Sequence, residues 1–155
     1  MARVFSHEAD IGAGTVLGVD EVARVADAGG HFIVSPNCNP AVIRETRRLG
    51  LASYPGVLTP SECFAALEAG ATALKVFPAA MMGIDGLKAI RAVLPAGTRV
   101  LLVGGVDERN FGQWLAAGAD GFGIGTALYR PGKSLAAVAA DAKRMVETFD
   151  REGQL

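Results

Sequence analysis

The sequence predicts a parallel α/β fold, and three observations predict it. Short apolar runs recur along the 155 residues at a spacing of roughly 20 to 25 residues, the length of one strand-plus-helix unit. Amphipathic segments with helix start and stop signals separate them. The runs show little apolar–polar alternation, as strands covered on both faces do.

The first run, "IGAGTV" (11–16), carries Thr15 among small residues. Its hydroxyl could bond a carboxylate, but a β-former in a buried strand is the simpler reading. "HFIVSP" (31–36) follows, then Asn39-Pro40, an N-cap with proline at the first helical position. "SYPGVL" (53–58) precedes Thr59-Pro60-Ser61-Glu62, a capping box. "ATALKVF" (71–77), "RVLLVGG" (99–105) and "GFGIGT" (121–126) complete six units. Asp20, Asp85 and Asp107 are the expected N-caps of other helices. Ala28-Gly29, Leu49-Gly50, Ala69-Gly70 and Ala117-Gly118 close helices just before a strand, where a left-handed residue is favoured. A closed eight-unit barrel takes about 250 residues. Six units fit either an open sheet or a barrel lacking two. No composition shift marks a linker, so residues 1–155 read as a single domain.

Half the residues are hydrophobic, a fifth are charged, and the formal net charge is −1. There is no basic excess for a nucleic-acid backbone or a membrane surface. No apolar run approaches the roughly 20 residues of a membrane span. Cys38 and Cys63, with no CxxC spacing, and the isolated His7 and His31 offer no metal site. Reduced thiols in the cytoplasm are the expectation.

Lys75 stands in the middle of an apolar strand. It shares a face with Ala73 and Phe77, and Leu74 and Val76 take the other, so neither face is solvated. An ammonium enclosed without a partner is costly and tends to lose its proton. A neutral amine is the nucleophile that Schiff-base chemistry needs. The plainer reading is a lysine snorkelling from a strand end or paired with a buried carboxylate. Phe77-Pro78 must end the strand, which places Lys75 near the C-terminal rim, where barrel active sites lie.

"VGGV" (103–106) and "GIGTAL" (123–128) end the last two runs. Consecutive glycines expose N–H groups that can cradle an anion, aided by a following helix N-terminus. Gly104, Gly105, Gly125 and Thr126 are therefore the phosphate candidates, against a reading as tight turns alone.

Taken in order, "GAGTVL", "FIVSP", "PGVLTPSE", "ALKVFPA", "VGGV" and "GIGTALYRPG" resemble the 2-keto-3-deoxy-6-phosphogluconate/6-phosphogalactonate aldolases, from about Ile11 to Phe149. These are class I aldolases on a TIM-type (β/α)₈ barrel. "SPNCNPAVIRETRRLG", "GLKAIRAVLP" and "LYRPG" lean toward the 6-phosphogalactonate enzymes. The resemblance implies that Lys75 forms the imine and that Thr15 contacts the pyruvate carboxylate. Gly104 and Gly105 would hold one half of the phosphate, and Gly125 with Thr126 the other. It implies a small phosphorylated keto-acid substrate, cleaved to pyruvate and D-glyceraldehyde 3-phosphate, no cofactor or metal, and a homotrimer.

In that family the "GAGTVL" strand is the third of eight. The two preceding units supply an arginine near the substrate and a glutamate that acts as general acid/base. Only ten residues precede Ile11, and Arg3 and Glu8 do not lie in the matching motifs. The expectation is an N-terminally short chain with weak or no activity by itself: a truncation, a misplaced gene start or a fragment. Its open edges would favour self-association. The alternatives are the gluconate epimer as substrate, a sugar-phosphate isomerase or epimerase, and an inactive phosphate-binding fragment.

Overall fold

A computed structural model describes residues 2–5 and 7–153, Arg3 by its backbone alone. The order is α1 (Ala2–Phe5), β1 (Gly12–Gly14), α2 (Val19–Asp27), β2 (Phe32–Val34), α3 (Pro40–Arg48), β3 (Ala52–Tyr54), β4 (Gly56–Val57), α4 (Pro60–Glu68), β5 (Leu74–Val76), α5 (Ala79–Arg91), β6 (Val100–Val103), α6 (Phe111–Ala116), β7 (Gly121–Gly123) and α7 (Leu135–Glu152). Each predicted apolar run contains a strand. The run 53–58 is broken into β3 and β4, because Pro55 has no N–H to continue a ladder.

The contacts divide the chain into two compact units, Met1–Lys75 with Leu94–Arg99, and Val76–Val93 with Val100–Leu155. In the first, β1, β2 and β3 pair in parallel, with Gly12 opposite Phe32 and Ile33 opposite both Ala13 and Ser53. Val16, Val22, Ile33, Val42 and Leu51 form its core, with Ala13, Val25, Ala26 and Leu49 packed against them. Side chains from one face of the short strands meet the apolar stripes of α2 and α3, which is how a covered parallel sheet buries itself.

In the second unit β6 and β7 pair in parallel, Leu101 opposite Gly121 and Val103 opposite Gly123. Phe111 of α6 stacks on Phe122 of β7 at 4.3 Å between ring centroids, and Phe149 of α7 meets both edge-on. These three rings fasten α6 and α7 to the strand.

The helix boundaries follow the predicted chemistry at most ends. Asn39 accepts from the Ala41 N–H at 3.0 Å, with Pro40 at the first helical position. The Thr59–Glu62 capping box is complete. Gly29, Gly50, Gly70 and Gly118 all take positive φ, between 78° and 100°. The three aspartates do not cap as expected. Gly18 is the N-cap of α2, and Asp20 lies in its first turn, where Glu21 reaches back to the N–H groups of Leu17 and Gly18 at 2.7 and 3.0 Å. Asp85 lies inside α5, past a break at Gly83 with φ 70° and ψ 171°. Asp107 opens a separate turn ahead of α6, whose N-cap is Asn110. The side chain of a good capping residue caps only where the chain enters the helix, and here the entry points lie elsewhere. Among the described residues, no helix is long and apolar enough to cross a membrane, and no group of three or more His, Cys, Asp or Glu could hold a metal ion.

Candidate functional site

The predicted residues fall into two neighbourhoods, one in each unit. In the first unit, hydrogen bonds tie β5 to the segments that follow β1, β2 and β3. β5 enters through the Leu74 N–H, which donates to the Arg99 carbonyl at 2.9 Å, and the Lys75 N–H, which donates to the Pro55 carbonyl at 2.9 Å. Ala73, Leu74, Lys75 and Val76 are all buried, so both faces of the strand are covered as the sequence predicts. Only 9% of Lys75 is exposed.

The Lys75 ammonium Nζ donates to the backbone carbonyl of Ser35 at 3.3 Å. Ser35, just past β2, is itself buried, and its hydroxyl donates to the Val16 carbonyl at 2.8 Å. The Val16 N–H donates in turn to Val34 O at 3.3 Å. Lysine, serine and the turn after β1 thus form one hydrogen-bonded series. Burial lowers the Lys75 pKa from its ordinary value, because a desolvated ammonium is less favourable than a desolvated amine. Ser35 stands in the "HFIVSP" run and received no role from sequence. The available signal was a serine directly before proline at the end of an apolar strand.

Thr15 is not in the strand. β1 stops at Gly14, and Thr15 is exposed with φ 60°. A β-branched residue in the left-handed region is strained, and such outliers concentrate at functional sites. The reading of Thr15 as a buried β-former is therefore corrected. It borders a cleft of about 500 Å³ along β1 and α2 with Gly12, Gly14, Glu21 and Arg24.

The second neighbourhood is a cleft of about 520 Å³ between the loops after β6 and β7. Gly104, Gly105, Gly125 and Thr126 all line it, joined by Arg109 and Arg130. The four residues proposed from sequence are thus brought together. Gly104 and Gly105 have φ 89° and 82°, and a Cβ on Gly105 would lie 2.7 Å from the Ala80 Cβ. Both the turn and the close approach require glycine there. The Gly104 carbonyl accepts from Ala80 N–H at 3.1 Å, and the Gly105 carbonyl from Asn110 Nδ2 at 3.0 Å, so the pair is pinned. After β7, the Gly125 carbonyl accepts from the N–H groups of Leu128 and Tyr129, and Arg130 Nε donates to the Thr126 carbonyl at 3.0 Å.

Arg109 is engaged by Asp107, whose carboxyl it holds below the usual range. Arg130 is the cleft's second guanidinium, exposed and one short turn from Thr126. Neither arginine was singled out from sequence, since surface arginines are common. The lining stops at Arg109 and Arg130, ahead of α6 at Phe111 and α7 at Leu135, and the α6 N-cap Asn110 bonds the Gly105 carbonyl, so the donors facing the cleft are loop amides, Thr126 and arginine.

The family model for KDPG and KHG aldolases matches residues 3–142. The chain is 49% identical over 140 residues to the probable 2-dehydro-3-deoxy-6-phosphogalactonate aldolase of Rhizobium meliloti, covering 90% of this chain and 66% of that protein. It is 43% identical over 145 residues to the 2-dehydro-3-deoxy-6-phosphogalactonate aldolase of Escherichia coli, covering 94% and 71%. It superposes on a solved native KDPGal structure with a TM-score of 0.97 and 42% identity, over 99% of this chain and 75% of that one. The fold is accordingly that of a TIM-type α/β barrel, present in part. The matched family, the two relatives and the superposed structure agree, and the chain belongs to the KDPG and KHG aldolase family.

Proposed function

We propose that this protein is a class I aldolase that cleaves 2-dehydro-3-deoxy-6-phosphogalactonate to pyruvate and D-glyceraldehyde 3-phosphate, with residues 1–155 acting as one barrel domain. The observation that carries the reading is Lys75: an amine buried in the middle of the three-residue strand β5, its pKa lowered by burial, and bonded to the Ser35 carbonyl. The names of the two relatives favour the galactonate epimer.

In this mechanism the Lys75 amine attacks the C2 ketone. The carbinolamine loses water to give an iminium, which draws the electron pair of the C3–C4 bond as that bond breaks. Cleavage needs a base for the C4 hydroxyl proton, a role assigned to none of the residues of this site; the aldehyde then leaves, and the enamine is protonated and hydrolysed to pyruvate. The Ser35 carbonyl orients the amine. Thr15 binds the keto-acid carboxylate through its hydroxyl, a role supported by its exposure and strained backbone. Gly104, Gly105, Gly125 and Thr126 bind the phosphate of the substrate. The same resemblance supports a homotrimer, checked by sedimentation over a range of concentrations. A cytoplasmic location goes with this reading, with Cys38 and Cys63 kept as reduced thiols.

Incubation with pyruvate and borohydride tests the proposal. Imine reduction should add the pyruvate fragment to the peptide containing Lys75. A folded sample with Lys75 unmodified would overturn the assignment. Parallel assays with the galactonate and gluconate epimers then decide the substrate.

A further inference from the structure

The two loops of the phosphate cleft are not regular structure. Ladder pairing between β6 and β7 ends at Val103 opposite Gly123, before either loop begins. Their spacing must be held by something else, and a series of charged side chains spans it. Glu108, in the first loop, accepts from Arg144 Nε and Nη2 at 3.1 and 2.9 Å. Arg144 Nη1 lies 2.7 Å from Asp141 Oδ1, one turn back on α7. The other oxygen of Asp141 pairs with Lys133 Nζ. That ammonium also donates to the Leu128 carbonyl at 2.6 Å, inside the second loop.

The series alternates in sign, two acids and two bases, and is locally neutral. Lys133, Asp141 and Glu108 are each only 23% exposed. Lys133 and Arg144 hold the Asp141 carboxyl below its usual range. Exposed single ion pairs contribute little to stability. A connected, partly desolvated series grips geometry more firmly. Glu108 lines the cleft, while Lys133, Asp141 and Arg144 do not, so these three act on a bound anion through the loops or through the Glu108 carboxylate.

We infer that Glu108, Arg144, Asp141 and Lys133 are positioning residues that set the distance between the two anion-binding loops, so that affinity for a phosphate group depends on α7. The inference rests on reading Gly104, Gly105, Gly125 and Thr126 as the anion site. Loop amides bind an anion only when they converge on it, and a small displacement of one loop removes half the donors.

The probe is inorganic phosphate, titrated into the full chain and followed by the amide signals of Gly104, Gly105 and Gly125. Asp141→Asn and Arg144→Met should weaken binding roughly tenfold. Lys133→Arg keeps the charge and should retain it. Pyruvate trapping at Lys75 should be equal in all of them, which a general loss of structure would not leave unchanged. If Asp141→Asn fails to fold, Lys133→Gln cuts the same series from its loop end and should show the same loss. Equal phosphate affinity in the parent and the folded variants would overturn the positioning role while leaving the anion site standing. A parent chain whose glycine amides ignore phosphate would overturn the anion site, and the positioning role with it.

Discussion

Lys75 and Thr15 are each held in an unfavourable state, for different reasons. Lys75 is desolvated. Below its lowered pKa the folded chain carries an ammonium that water would solvate better, so this residue costs stability there. Between the lowered pKa and the ordinary value of 10.5, the unfolded chain binds more protons than the folded one. Stability should therefore rise with pH through that window, and the cost is gone above it. In Lys75→Met this increment should vanish, which urea denaturation at several alkaline pH values measures; pyruvate trapping is lost as well. Thr15 is conformationally strained. Thr15→Gly should be more stable than Thr15→Ala by about 1 kcal/mol, because only glycine takes the left-handed conformation freely. Both should trap pyruvate less well if the hydroxyl holds the carboxylate. Lysine in an apolar run is visible in sequence. The left-handed turn at Thr15 is not, because "GAGTVL" reads as strand throughout.

The elements are short strands and helices, of which α3, α4 and α7 carry a side-chain N-cap. Thr59 accepts from the Glu62 N–H, and Glu62 accepts from the N–H groups of Leu58 and Thr59, both at 2.8 Å. Thr59→Ala should cost about 1 kcal/mol, read from thermal or urea unfolding. The Leu58 N–H, with that of Thr59 and the threonine hydroxyl, holds the Glu62 carboxyl below its ordinary value of 4.5. Its contribution is present above that value and is lost as pH falls through the lowered one, so Glu62→Gln should flatten the acid limb of the stability profile. This box was legible from four adjacent residues. Asp20, Asp85 and Asp107 looked equally suitable but did not cap. A cap depends on where the backbone turns into the helix, and residues such as Gly18 and Asn110 take that position here.

At the scale of the whole molecule, ligand binding and stability are linked. Inorganic phosphate at tenfold excess over its dissociation constant should raise the unfolding free energy by about 1.4 kcal/mol, seen as a higher melting temperature. Chloride at matched ionic strength should give no such rise, and equal shifts from both salts would argue against a specific anion site. Unchanged melting in phosphate would do the same.

The sequence by itself determined the order of strands and helices, the glycine helix ends, two cap sites, the buried lysine and four residues that line the cleft after β6 and β7. All of these are written in local periodicity or in short motifs, which fix backbone conformation within one unit. Tertiary structure alone decided that the Lys75 amine rests on Ser35, 40 residues away, and that Arg144 holds Glu108, 36 residues away. It also decided that Arg109 and Arg130 share the cleft with the glycines. Such contacts carry no local signal. They form where side chains far apart in the chain pack together, as Lys75 of β5 does against Ser35 beyond β2 and Arg144 of α7 against the loop after β6.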